Sequence, residues 1–102
     1  MVVVWTEDAV AQFRAAYEYL LEVAGRSVAK HIAYKIEDAA GKLAEYPKMG
    51  AVEDELKQLP HGYRSFVAHK NYKIIYRIEG ETVYISALFD CRQHPDKARE
   101  IK

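Results

Sequence analysis

Residues Tyr63–Phe89 read YRSFVAHKNYKIIYRIEGETVYISALF, and this stretch decides the fold. Strand-forming residues alternate with a period of two through 63–69, 72–79 and 82–89, which predicts three strands. Lys70-Asn71 and Gly80-Glu81 separate the three segments. Connections that short join antiparallel neighbours, so the segments form a meander. Alternation also sorts the side chains. Tyr72, Ile74, Tyr76 and Ile78 share one face of the middle strand, and Lys73, Ile75 and Arg77 share the other. In the last strand Val83, Ile85, Ala87 and Phe89 read as the core face, against Tyr84, Ser86 and Leu88. One face covered by helices and one partly open is the expected outcome for such a sheet. The open face is expected to gather Arg64, Lys73 and Arg77, with Arg92 arriving just beyond the last strand.

Upstream the period is helical. Val10, Phe13, Tyr17, Leu20 and Ala24 recur at spacings of three and four, with Thr6 as N-cap and Glu7 and Asp8 in the first turn. Gly25 ends that helix, and Ser27 is placed to cap a second, with the stripe Val28, Ile32, Ile36, Ala39, Leu43 and Tyr46. Pro47 stops it. So short a link makes residues 7–46 an antiparallel helical hairpin. Val2–Trp5 reads as a short edge strand, and residues 47–62 as a loop carrying the acidic run Glu53-Asp54-Glu55. A short helix or a tail follows Pro95. The fold class is α+β: a helical hairpin on a small, mainly antiparallel sheet.

Composition bounds the rest. The chain has 102 residues, balanced charge (15 Lys+Arg, 15 Asp+Glu) and half its residues apolar, which allows one domain over 1–102 with its own core. Twelve aromatic residues and low net charge are the opposite of a disordered composition. The single cysteine, Cys91, makes no internal disulfide and fits a reducing cytoplasm. Apolar runs are too short to cross a membrane, and the Met1–Trp5 start lacks the basic flank of a secretory signal. The neutral total hides a split. Residues 1–56 carry a net −4, whereas residues 57–102 carry +4 together with His61, His69 and His94. Such asymmetry marks either an anion-binding face or a scatter of solvated charge.

Several chemistries lack their motifs. There is no Gly-rich phosphate loop, no paired-cysteine zinc site and no HExxH, so neither a cofactor nor a metal is expected. Ser27, Ser65 and Ser86 have no nucleophile context, and a lone cysteine at a strand end reads as inert. Tyr63 and Tyr84 lie in the basic half, where they can stack on a base or meet a protein partner. Arginine forks suit phosphate or carboxylate equally.

The order and spacing of several segments resemble the RelE/ParE toxin superfamily across essentially the whole chain. They are Glu45-Tyr46-Pro47-x-x-Gly50, Leu59-Pro60-x-Gly62-Tyr63-Arg64, Asn71–Ile78, and above all Phe89-Asp90-Cys91-Arg92-Gln93-His94-Pro95. The resemblance implies a cytoplasmic toxin of a toxin–antitoxin pair, bound by a cognate antitoxin as a hetero-oligomer. It does not fix the target. RelE-like members cleave mRNA on the ribosome, a reaction that needs a base, a cation for the phosphate and an acid for the leaving oxygen. The lysines of their first meander strand are matched here by Arg64 and Phe66, neither of which can act as a base. Lys73 and Arg92 match the cationic positions, and no tyrosine follows Tyr84 to match the one in their tail. A nuclease reading would therefore use Arg92, His94 and Lys73, with Asp90 or His69 as base. ParE-like members inhibit DNA gyrase without a catalytic set, and Arg92-Gln93-His94-Pro95 is more similar to that branch. Arg64, Lys73, Arg77 and Arg92 are then partner-binding residues, the gyrase reading is favoured, and plasmid stabilization through growth arrest is the implied role. A degenerate binding module that keeps only its antitoxin affinity is the remaining alternative.

Overall fold

A computed structural model describes residues 1–53 and 62–91. The order is β1 (Val2–Trp5), α1 (Glu7–Ala24), α2 (Arg26–Gly41), a 3-10 turn (Lys42–Ala44), β2 (Ala51–Val52), β3 (Arg64–His69), β4 (Tyr72–Glu79) and β5 (Thr82–Asp90). The strands form one sheet in the order β1-β5-β4-β3-β2. β3, β4 and β5 are the expected antiparallel meander, while β1 runs parallel to β5 along one edge. The helical hairpin covers one face, as the sequence predicts. The expected helix or tail after Pro95 and the acidic pair Asp54-Glu55 lie outside the described residues.

Local chemistry explains the helix ends. Thr6 is extended, and its hydroxyl accepts the Ala9 N–H at 3.2 Å, while Glu7 and Asp8 sit beside the positive end of α1. Thr6→Ala is expected to cost about 1 kcal/mol in urea unfolding, the usual value of a lost N-cap. Gly25, at φ 89°, is the whole link between the helices, a conformation that a side chain would strain. α2 starts at once, with Gly25 rather than Ser27 as its N-cap and no side-chain cap. A one-residue link leaves no room for the expected serine cap. The regular helix also stops short of Pro47, at Gly41, and tightens into the 3-10 turn.

The centres of the buried stripes are as expected, with Phe13, Tyr17 and Leu20 on α1 and Ile32, Ile36 and Leu43 on and after α2, but their edges differ: Ala9, Ala16, Ala29 and Ala40 face the core, whereas Val10, Val28 and Tyr46 are exposed. Alanine at the contact lets a helix axis approach the sheet, so small residues occupy places that a pattern of large ones assigns elsewhere.

The sheet corrects two further expectations. A two-residue strand, β2, lies inside the expected loop, with Ala51 opposite Ser65 and Val52 opposite Arg64. In β5 the alternation breaks: Ile75 faces Ala87 but Tyr76 faces Ile85, so one extra residue enters β5. Val83 and Ile85 point to the helices as expected. Beyond the bulge the parity flips, so that Leu88 joins the helix-side core and Ala87 and Phe89 turn away. Gln12 of α1 accepts the Leu88 N–H at 2.8 Å, fastening the helix to the strand just past the irregularity. The face away from the helices is therefore not bare. Tyr63, Ile75, Ala87 and Phe89 form a second, smaller buried cluster there, with Cys91 against it.

Candidate binding face

Register decides which charged residues share a surface. On the far face, Val4 of β1, Tyr84 of β5 and Arg77 of β4 occupy one cross-strand row. The Arg77 guanidinium lies 4.6 Å from the centre of the Tyr84 ring, with Nη1 3.3 Å from Ser86 Oγ and Nε 3.4 Å from Glu79 Oε1. Stacking and two hydrogen-bonding neighbours hold the planar group flat on the sheet. Lys73 stands further along the same strand, on the same face. Its Nζ is 2.9 Å from Glu53 Oε2, and Ser65 donates its hydroxyl to that oxygen at 2.7 Å. Glu53 follows β2 directly and its N–H bonds to Tyr63 O, so the short missed strand places the carboxylate.

Arg64 is on the opposite face. It pairs with Tyr76, and its Nη1 donates to Gly50 O at 2.8 Å and to Lys48 O at 3.4 Å. Its visible work is holding residues 48–50 against the sheet. Phe66 packs edge-on to Tyr76, 6.1 Å between ring centres, within the core. Tyr76, fully buried, donates to Pro47 O at 2.7 Å and accepts from Gly50 N–H at 2.9 Å. Burial pushes its phenol above the ordinary value, opposed by the Gly50 bond and the Arg64 charge.

His69 and Asp90 also leave the far face. A register shift between Val67 and His69 turns the imidazole toward α2, where its ring centre lies 6.0 Å from that of His31. Asp90 pairs with Tyr72, which in turn pairs with His69, so the three form one row on the helix side, with Asp90 buried. The residues expected to meet one phosphate are thus divided by the sheet, with Lys73 on one side and His69 and Asp90 on the other. Arg92 and His94 lie outside the described residues. Of the expected basic set, Lys73 and Arg77 share a face and Arg64 does not. Tyr84 is the platform under Arg77, whereas Tyr63 is buried.

The His69 environment carries a pH prediction. Burial first, then the charges of Lys70, His31 and Lys35, hold its imidazole below the ordinary 6.5. The folded chain therefore protonates there less readily than the unfolded chain. This term is fully present above pH 6.5 and is lost as pH falls through 6.5 toward the lower folded-state midpoint. His69→Gln is expected to flatten that part of the pH profile of the urea midpoint between about pH 7.5 and 5.5.

Two structural features bear on site chemistry. Among the described residues, no three His, Cys, Asp or Glu side chains converge as a metal site, and no helix is long and apolar enough to cross a membrane. The arrangement offers a mixed-charge face on the sheet, with Lys73 paired to Glu53 and Arg77 to Glu79 over the Tyr84 ring, suited to a partner surface that also carries both signs of charge.

A search of curated proteins by sequence gives no match. The fold is similar to a solved structure described as the chromosomal ParDE TA system from P. aeruginosa. That likeness has a TM-score of 0.74 and 21% identity, covering 88% of this chain and 95% of that one. It is also similar to a YoeB/ParE toxin from Agrobacterium tumefaciens, with a TM-score of 0.59 and 20% identity over 88% of this chain and 98% of that one. At these identities the likeness concerns the fold. The family described as the ParE toxin of the type II toxin–antitoxin system parDE matches residues 3–95, from the first strand through the Arg92–Pro95 segment. The chain belongs to the ParE toxin family of type II toxin–antitoxin systems.

Proposed function

We propose that this chain arrests growth in the cytoplasm by binding DNA gyrase, and that a cognate antitoxin neutralises it in a hetero-oligomer. The family match over residues 3–95 carries this reading. The sheet supports it on physical grounds. General acid–base cleavage needs its groups within reach of one phosphate, and Lys73 faces away from His69 and Asp90 while its ammonium is bonded to Glu53. Arg77, presented flat on Tyr84 on the same face as Lys73, is suited to contact with a protein surface. We assign partner binding to this pair, with Arg92 as a third contact and Arg64 as the residue that keeps the neighbouring loop in place.

Antitoxin binding and target are tested separately. The protein encoded beside this one is expected to co-purify with it and to relieve its growth arrest; failure of both removes the toxin–antitoxin pairing. Translation-coupled mRNA cleavage is expected to be absent. Cleavage that is lost in Arg92→Ala and His94→Ala, with folding retained, would replace gyrase by the nuclease reading.

A further inference from the structure

A group of basic side chains from two elements lies on the helix side of the sheet, away from Lys73 and Arg77. His31 of α2 and His69 of β3 meet edge to face, with ring centres 6.0 Å apart and planes at 83°. Lys35 is one helical turn beyond His31 on the same side of α2, and Lys70 follows His69 in the β3–β4 turn. Two separate elements thus bring two imidazoles and two ammonium groups to one edge. Among the described residues, Lys70, His31 and Lys35 are the neighbours that disfavour a proton on the His69 ring. The next acidic group along that side of α2, Asp38, is engaged by Lys42 at 3.6 Å. Asp90 lies in the same cross-strand row as His69 but beyond Tyr72, and has an interaction of its own.

The turn residue adds an independent observation. Lys70 has φ 50°, and it is the only non-glycine described with positive φ. Glycine or asparagine adopts that conformation at lower cost. A lysine there supplies charge at the expense of backbone comfort, the pattern expected where a side chain serves binding more than folding.

We propose that His31, Lys35, His69 and Lys70 form a binding site for a phosphate group. Like-charged neighbours repel one another until an anion sits among them. A phosphate offers several oxygens and up to two charges, enough to engage imidazole N–H groups and ammonium groups together, whereas a carboxylate offers two oxygens and one charge. Lysine suits this role as a mobile point charge. Binding is coupled to proton uptake, because the anion favours the charged imidazole over the neutral one. The charged and titratable groups facing His69 in this account are His31 and Lys35 from α2, Lys70 from the turn, and Tyr72 and Asp90 along its row.

The test uses the purified full chain and the proton resonances of the His31 and His69 rings. Inorganic phosphate is expected to shift both resonances along one saturating curve, and to raise the His69 titration midpoint by on the order of one pH unit. Added salt should weaken the effect. A short single-stranded oligonucleotide that saturates at lower concentration than phosphate assigns the site to a nucleic-acid backbone. A response to phosphate without the oligonucleotide assigns it to a small phosphorylated ligand. Lys70→Gly separates binding from folding: it relieves the backbone, so the melting temperature stays level or rises, while affinity drops by up to roughly fivefold. Lys35→Gln should weaken affinity similarly. The proposal is overturned if neither ring responds to either probe, if acetate at equal ionic strength acts like phosphate, or if both lysine variants bind as tightly as the parent.

Discussion

Leu88→Ala is expected to destabilise the chain by about 2–5 kcal/mol, the usual range for a fully buried leucine. For a chain of this size that lowers the melting temperature by about 4–8 °C for each kcal/mol. The expectation follows from the bulge in β5. Simple alternation puts Leu88 on the face away from the helices, beside Tyr84 and Ser86, where truncation would cost little. The extra residue between Ile85 and Ala87 instead turns Leu88 into the core with Ile74 and Ile85, only 2% exposed, and Gln12 takes its N–H. Val67→Ala is the control. Val67 is 57% exposed on β3, and its truncation should stay within about 0.5 kcal/mol. Equal midpoints for the two variants in urea unfolding would place Leu88 on the surface and remove the bulge from the account.

The second large effect is at Gly50 and Tyr76. Gly50 is buried where β2 meets the sheet, and a Cβ there would lie 2.8 Å from Ser65 O and 2.9 Å from the Tyr76 ring and hydroxyl. One of those neighbours is backbone, so the strand itself must shift. Gly50→Ala is therefore expected to cost about 1–3 kcal/mol by overpacking. Tyr76→Phe keeps the ring but removes the oxygen that serves Pro47 O and Gly50 N–H. Leaving buried partners unsatisfied costs about 1–3 kcal/mol. Because both changes act on one contact, their effects should not add: the double variant is expected to show coupling of at least about 0.5 kcal/mol. Glu53 lies three residues beyond Gly50, so both variants should also loosen its bridge to Lys73, read as faster amide exchange at Glu53. Additive costs with unchanged exchange would mean that the Gly50–Tyr76 contact does not position the loop.

These two sites also show why part of the molecule was legible in the sequence and part was not. The middle strand sorts as its alternation says, because the extra residues fall in β3 and β5 and not in β4, which β5 pairs from Tyr72 to Glu79 and β3 from Tyr72 to Tyr76. β5 sorts correctly only as far as Ile85. A bulge inserts one residue without changing composition, and so leaves no trace in the period. β2 has two residues, Ala51 and Val52, and no periodicity can mark so short a strand. Its existence depends on a non-local pairing with Ser65 and Arg64. The helix boundaries at Thr6 and Gly25 are local chemistry and were readable; the edges of each buried stripe are decided by how closely a helix approaches the sheet.

The candidate site divides along the same line. That Arg64, Lys73 and Arg77 are basic is plain in the chain, yet which of them share a face depends on register and bulges. The shift before His69 moves one candidate base to the helix side, and the bulge in β5 puts Asp90 there too. Glu53 stood out only as part of an acidic run, and its pairing with Lys73 required β2. Arg64, read as a partner-binding cation, is engaged with the backbone of residues 48 and 50.

The proposed target is DNA gyrase, bound and not cut, rather than mRNA. A supercoiling assay with purified DNA gyrase and relaxed plasmid tests it most directly. Dose-dependent loss of supercoiling is expected, prevented when the cognate antitoxin is added first and weakened in folded Arg77→Ala. Supercoiling that proceeds at full rate with saturating, folded toxin would contradict it.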